Sequence, residues 1–231
     1  DNHSPAPAVH RAQPAAVSIT QATELGTIYT VDEISEISEV CRSNNLPLHM
    51  DGARLANAIV SMGVQIADCT WRAGVDILSL GATKNGVFAA EAVVFFDVSK
   101  AADFEFRRKR GGHLFSKLRF LSSQLVPYLE SNYWLKLAEN SNSRARELAQ
   151  GLSKIKSISI LADVQTNMIF LQMPTHFVDI LKKENCLFYS WGEKEGSISA
   201  RFVTSFNTSK HEVAQVLSII KRADSITKPK L

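Results

Sequence analysis

The sequence lacks the features that mark membrane-bound or secreted proteins. No apolar run approaches the ~20 residues that a membrane-spanning helix needs, and the polar first residues lack the charged and apolar regions of a secretory signal. The three cysteines, Cys41, Cys69 and Cys186, are odd in number and far apart, so they indicate neither a disulfide framework nor a CxxC metal or redox site. These absences predict a cytoplasmic protein with reduced cysteines, no metal site and no membrane partner.

Strong charge of one sign is also missing. The net charge of +3 is too small to predict a nucleic-acid partner, and no aromatic-rich strand accompanies the basic run at residues 107–110. That run is typical of a solvated face, or of a site for a local anion such as a cofactor phosphate. We therefore expect no nucleic acid among the partners.

The first half of the chain alternates strands with helices. The 231 residues, 45% of them hydrophobic, suffice for one large domain or two small ones. The patterns predict strands at residues 15–20, 46–50, 75–80 and 91–97, and helices at 31–44 and 53–61. This order predicts an α/β domain with a mostly parallel sheet and helices on both faces.

The second half changes character. Residues 99–151 are predicted to be mainly helical, with breaks at Gly111–Gly112 and Pro127. A small α+β domain follows, with strands at 157–161, 167–173, 187–190 and 198–203, helices at 177–183 and 209–222, and a disordered tail at 228–230. We expect a large domain over residues 1–125, a connecting helix over 126–153 and a small domain over 154–231.

The segment at residues 48–54 joins an apolar strand to a helix through a carboxylate, a glycine and an arginine. Ligands of open α/β sheets bind at the carboxyl ends of strands. His49 and Asp51 point to the same side of their strand because side chains alternate, and Arg54 follows three residues on. Alternatively, Asp51 is only a helix N-cap in a common Asp-Gly turn.

The segment at residues 78–86 places Lys84 between small residues and turn formers after a hydrophobic strand. A lysine that acts as a nucleophile must lose its proton, which a partly desolvated pocket favours. Alternatively, Lys84 is an ordinary surface lysine in a turn. The two segments together indicate pyridoxal-phosphate (PLP) chemistry, which needs a lysine for the Schiff base and an acid to keep the pyridine nitrogen protonated.

Four ordered motifs carry a resemblance to a known family. HMDGARLANA at 49–58 and GATKNG at 81–86 resemble the threonine aldolase branch, of the low-specificity L-threonine aldolase type, among the β-eliminating-lyase-like, fold-type-I PLP enzymes. SITQATELGT at 18–27 and RRKRGGHLFSK at 107–117 are similar to the same family. The resemblance extends to at least Phe206 and implies a partial PLP-binding large domain over residues 1–125.

The resemblance also implies roles for seven residues. It makes Lys84 the Schiff-base lysine and therefore the catalytic residue. The cofactor-binding residues it implies are Lys84, Asp51 as partner of the pyridinium, Ala53, Thr83 and His49, the last as an orienting group. Arg54 and Arg201 would bind the substrate carboxylate, although Arg201 could instead be a sheet-surface arginine.

The implied reaction cleaves L-threonine, L-allo-threonine and related β-hydroxy-α-amino acids to glycine and an aldehyde. A homodimer or homotetramer is the implied assembly. The family's first third would precede this chain, with its phosphate loop, its ring-stacking residue and candidates for the base, so the resemblance implies an N-terminally truncated chain and leaves open whether this chain is active alone. Two alternatives stay open: another fold-type-I PLP lyase or transaminase-like enzyme, which a substrate panel distinguishes, and a truncated non-catalytic remnant, which would bind no cofactor.

Overall fold

The fold contains two four-stranded sheets with helices packed against them. The computed structural model describes residues 12–226, so the tail predicted at 228–230 lies outside the described residues. The first sheet has the order β1–β2–β3–β4, with β1 at Val17–Thr20, β2 at Leu48–Gly52, β3 at Ile77–Leu80 and β4 at Ala92–Phe95. Strands β1, β2 and β3 are parallel and β4 is antiparallel to β3, which confirms the mostly parallel sheet.

Strand β2 runs two residues further than predicted. The sequence places its end at Met50, before the Asp-Gly pair, whereas Asp51 and Gly52 belong to the strand. Parallel pairing on both sides extends it, because Asp51 pairs with Thr20 of β1 and with Ser79 of β3. Asp51 therefore leaves the sheet from a position fixed by two neighbouring strands.

Eight α-helices are found in the described part of the chain. They are α1 Val31–Ser43, α2 Leu55–Met62, α3 Phe104–Arg110, α4 Arg119–Ser122, α5 Leu125–Glu130, α6 Tyr133–Leu152, α7 His176–Lys183 and α8 Lys210–Ser225. Capping boxes start two of them, Thr30 with Glu33 at α1 and Ser209 with Glu212 at α8, and so satisfy backbone N–H groups that no helical partner reaches. Within residues 12–226, no helix has the length and apolarity needed to cross a membrane.

The helix break predicted at Pro127 is wrong. Pro127 is the third residue of α5, where a backbone N–H has no intrahelical acceptor, so proline costs no hydrogen bond there. The helical run breaks on either side of it, between Ser122 and Leu125 and at Asn132, whose φ of 54° separates α5 from α6. The predicted break at Gly111 is confirmed, since α3 ends at Arg110.

The second sheet is antiparallel, in the order β5–β6–β8–β7. Its strands are β5 Ser159–Ile160, β6 Met168–Pro174, β7 Tyr189–Lys194 and β8 Ser197–Val203. Along β8, Ile198, Ala200 and Phe202 are buried, while Arg201 lies on the other face. The alternation that predicts this strand therefore also places Arg201 outside the core.

Helix α6 contributes to two hydrophobic cores. Its first half packs Trp134 and Ala138 into the core of the parallel sheet, and its second half packs Ala145, Leu148 and Leu152 into the core of the antiparallel sheet. This helix thereby holds the two sheets in a fixed relation. The division of the chain at residues 125 and 153 stays a prediction.

Candidate active site

A cavity opens where the parallel strands end. It has a volume of about 950 Å³, and one wall consists of Asp51, Ala53, Ser79, Gly81 and Thr83, which come from the ends of β2 and β3 and the turns that follow. The carboxyl edge of a parallel sheet is the usual ligand site in α/β proteins. The two motifs that the sequence singles out thus line a common cavity.

Asp51 holds the turn between β2 and α2. Its Oδ1 accepts a hydrogen bond of 2.9 Å from the backbone N–H of Ala53. The residue at the N-cap of α2 is Arg54, which makes no side-chain capping bond, so Asp51 does not cap this helix. Within residues 12–226, Oδ2 of Asp51 has no hydrogen-bond partner, and it is the oxygen that can face a ligand.

The absence of a side chain at Gly81 brings the two motifs into contact. A Cβ at position 81 would lie 2.5 Å from Ala53 Cα and 3.0 Å from the carbonyl carbon of the same residue. The N–H of Gly81 also donates to the carbonyl oxygen of Gly52 at 3.2 Å. The segment between β3 and Lys84 therefore packs backbone against backbone on the turn that follows Asp51.

The short 3-10 helix Thr83–Asn85 that carries Lys84 is tied down at both ends. The Glu91 carboxylate accepts hydrogen bonds from the N–H groups of Ala82, at 3.0 Å, and Thr83, at 3.1 Å. Buried Asn85 donates to the Tyr128 hydroxyl and to the Trp134 carbonyl, both at 2.8 Å. Lys84 itself is exposed, so residues 12–226 do not provide the partial desolvation expected for it.

His49 is held in the middle of the parallel sheet by two serine hydroxyls. Its Nδ1 lies 2.8 Å from Ser18 Oγ on β1, and its Nε2 lies 2.9 Å from Ser79 Oγ on β3. Both ring nitrogens are therefore engaged, which fits an orienting group better than a free base. Ser79 lines the cavity and links His49 to it.

Arg54 and Arg201 act on each other although 147 residues of chain separate them. Burial lowers the pKa of Arg54, and the positive charge of Arg201 lowers this pKa further, against the opposing effect of Glu24 and Asp51. The Nε atoms of both arginines are buried without a hydrogen-bond partner among residues 12–226. Two partly buried guanidinium groups with unused donors offer the charge and the hydrogen bonds that a carboxylate needs.

Arg201 is also fixed by a ring. Its guanidinium carbon lies 4.9 Å from the centre of the Tyr189 ring, and the two residues pair across β7 and β8. Cation–π contacts of this kind orient a guanidinium at little cost. Arg201 lies on the outer face of the sheet, and this contact with Tyr189 restrains it there.

The opposite wall of the cavity carries part of the basic run. Arg107 and Arg108 of α3 line it together with His113, and Nε of Arg108 is buried without a partner in the described residues. The sequence leaves open which of the basic residues faces a ligand, and the structure places these two at the cavity. An anion in the cavity would therefore meet positive charge from this side.

Sequence reasoning missed Glu91, Asn85 and Tyr189. Glu91 is predicted only as the start of a strand, and the sole signal for its role is its spacing from the lysine loop. Asn85 stands inside the GATKNG motif, directly after Lys84. The motif therefore points to Asn85 as much as to the lysine, and a side-chain amide buried there needs hydrogen-bond partners. No sequence pattern announces Tyr189, because its role depends on the pairing of β7 with β8.

Comparisons with known proteins agree with this geometry. The model of the beta-eliminating lyase family matches residues 3–174. A low-specificity L-threonine aldolase of Pseudomonas aeruginosa is 38% identical over 213 residues, which are 92% of this chain and 61% of that protein. The chain thus spans about six-tenths of the length of its curated relatives of this kind.

Solved structures give the same result. A threonine aldolase of Leishmania major superposes with a TM-score of 0.86 at 27% identity, over 94% of this chain and 64% of that one. The serine palmitoyltransferase of Sphingomonas wittichii, with a TM-score of 0.63 at 14% identity over 93% and 57% of the two chains, is similar in fold alone. The fold is that of the fold-type-I enzymes, and the chain belongs to the beta-eliminating lyase family.

Proposed function

We propose that the protein is a PLP-dependent lyase of the threonine aldolase type, which cleaves L-threonine, L-allo-threonine and related β-hydroxy-α-amino acids to glycine and an aldehyde. The observation that carries the proposal is the pair Arg54 and Arg201, whose unused buried donors lie next to the Asp51 turn. An α-amino acid substrate offers the carboxylate that such a pair binds. The similarity to aldolases of P. aeruginosa and L. major supports this choice of substrate class.

The residues at the cavity fit PLP. Lys84, which is exposed and follows the lining residue Thr83, would supply the amine for covalent attachment, Oδ2 of Asp51 could hold the proton of the ring nitrogen, and the small residues Gly81 and Ala53 leave room for a planar ring. Ala53 and Thr83 would surround it, His49 would act through the lining residue Ser79, and Arg107 with Arg108 would offer positive charge to its phosphate. When bound, PLP supplies an electron-withdrawing ring that stabilises negative charge at the substrate Cα.

The arginines also select the bond that breaks. A carboxylate held by two guanidinium groups cannot rotate, and the direction of the remaining Cα bonds is then set by the protein. With the carboxylate fixed on one side, Arg54 and Arg201 would determine which Cα bond is presented for cleavage. This positioning is the main task that we assign to Arg54 and Arg201.

Several properties stay predictions. The proposal assigns the base for the β-hydroxyl proton, the ring-stacking group and the phosphate loop to no residue within 12–226. A cytoplasmic location and a homodimer or homotetramer follow from the sequence and the resemblance alone. Sedimentation of the purified protein tests the oligomer.

The proposal is tested by measuring aldehyde release from L-threonine and L-allo-threonine. Replacing Arg201 by Gln removes a charged hydrogen-bond donor worth about 1.5–3 kcal/mol, so KM should rise about 10- to 100-fold. The control is Arg222→Gln, which removes an exposed ion pair with Glu184 and should leave KM unchanged.

Two results would overturn the proposal. In one, Arg201→Gln has the KM of the wild type. In the other, the protein releases no aldehyde but transfers the amino group or eliminates a β-substituent, which would favour the other fold-type-I activities. A protein that binds no PLP would support the non-catalytic remnant.

A further inference from the structure

A buried polar cluster joins the two elements that carry the paired arginines. It consists of Asn57 on α2, Ser141 and Asn142 on α6, and Thr204 after β8. All four are at most 4% exposed. Arg54 precedes Asn57 by three residues, and Arg201 precedes Thr204 by three residues. The cluster therefore connects the segment that carries Arg54 to the segment that carries Arg201.

On the α2 side, the contacts form a reciprocal pair. The Asn57 side-chain amide donates to Asn142 Oδ1 and to Ser141 Oγ, both at 2.8 Å, while the Asn142 amide donates back to the Asn57 carbonyl at 2.9 Å. Three hydrogen bonds between two helices in a dry interior fix both their distance and their rotation.

On the β8 side, the contact is a short hydroxyl bond. Thr204 Oγ1 donates to the Ser141 carbonyl at 2.7 Å, and the Thr204 carbonyl accepts from Asn167 Nδ2 at 2.8 Å. The end of β8 is thereby tied to the same turn of α6 that holds α2.

We infer that Asn57, Ser141, Asn142 and Thr204, here called the polar clamp, set the separation of Arg54 and Arg201 and thereby the affinity of this pair for a carboxylate. They are positioning residues, since each is at most 4% exposed and a ligand cannot reach them. The inference rests on the proposed function for the identity of the ligand. A hydrophobic contact would hold the same elements together, but only directional bonds specify one separation.

The test compares Thr204→Val, which has the same shape without the hydroxyl, with Thr204→Ser, which restores it. Thr204→Val should raise KM for the amino-acid substrate about tenfold, the effect of one buried hydrogen bond, with a much smaller change in kcat. Thr204→Ser should return KM to the wild-type value. A core variant, Ile220→Val, removes a buried methyl group and no hydrogen bond, and it should lower stability without changing KM.

A second readout needs neither cofactor nor activity. In crystal structures of the cofactor-free protein, the distance between the guanidinium carbons of Arg54 and Arg201 should change by more than about 0.5 Å in Thr204→Val, the tolerance of a preorganised site. It should stay the same in Ile220→Val. If Thr204→Val does not fold, Ser141→Ala serves instead, because it removes an acceptor of the Asn57 amide and keeps the backbone carbonyl that Thr204 uses.

The outcomes separate the two claims. An unchanged arginine distance and KM, together with lower stability, would reduce the polar clamp to a purely structural cluster and overturn the inference. If the wild type cleaves no hydroxyamino acid, the proposed function fails, and the crystallographic distance still decides the inference.

Discussion

Replacing Gly81 by Ala should damage the site more than it damages the fold. The new methyl group would lie 2.5 Å from Ala53 Cα, against about 3.5–4.0 Å for a relaxed carbon contact. The three nearest atoms all belong to the Ala53 backbone, so rotation of a side chain cannot relieve the clash, and one of the two segments must move by about 1 Å. Such overpacking costs about 1–3 kcal/mol of unfolding free energy, and a shift of that size at a site costs about 100-fold in rate.

The assay is urea unfolding combined with a titration of PLP followed by visible absorbance. Gly63→Ala is the matched control, because a new Cβ at position 63 has no atom within 4 Å. The φ of Gly63 is +69°, so alanine lowers the free energy of unfolding there by about 1–2 kcal/mol through backbone conformation alone. Both variants should lose similar stability, and only Gly81→Ala should lose affinity for PLP. If Gly81→Ala bound PLP with the affinity of the wild type, the contact between Gly81 and Ala53 would not be what positions Asp51 and Lys84.

Three further predictions concern other parts of the chain. Asn85→Leu should cost about 1–3 kcal/mol in urea unfolding, because two buried partners lose their donor; an unchanged midpoint would contradict this. Hydrogen bonds from Thr30 lower the pKa of the Glu33 carboxyl below its ordinary value of 4.5. The ionised carboxylate therefore stabilises the fold at neutral pH, and this stabilisation disappears as the pH falls through the lowered pKa. Glu33→Ala should melt at a lower temperature than the wild type at pH 7, and at the same temperature in acid. Burial raises the pKa of Cys69 to about 11, so iodoacetamide at pH 8 should label Cys69 only after unfolding, as read by mass spectrometry, and rapid labelling of the native thiol would be inconsistent with that burial.

The sequence predicts most of the fold because hydrophobic periodicity dominates its elements. The alternation in Ser197–Val203 predicts a strand, and the stripe in Val31–Ser43 predicts a helix, since each pattern matches one geometry. The prediction failed at Pro127, where position within a helix decides whether proline is tolerated. It also ended β2 too early, because the pairing that extends the strand comes from β1 and β3.

The site is predictable only as far as it is local in sequence. Asp51 and Lys84 stand in motifs whose spacing carries chemical meaning, and the structure brings these motifs together at Gly81. Other side chains at the site are held by residues elsewhere in the chain. Asn85, next to Lys84, donates a hydrogen bond to Tyr128, and Arg201 lies over the ring of Tyr189. Long-range contacts of this kind leave no periodic signal, so sequence reasoning could not find them.

If Lys84 forms the bond to PLP, reduction with borohydride makes that bond permanent and shows which residue carries it. The purified protein is mixed with PLP, reduced, digested and mapped by mass spectrometry, alongside Lys84→Ala and a surface control, Lys154→Ala. We expect one dominant pyridoxyl label on the peptide containing Lys84, kept in the surface control and lost in Lys84→Ala. Equal labelling of Lys84→Ala and wild type, or a label spread over surface lysines, would contradict it.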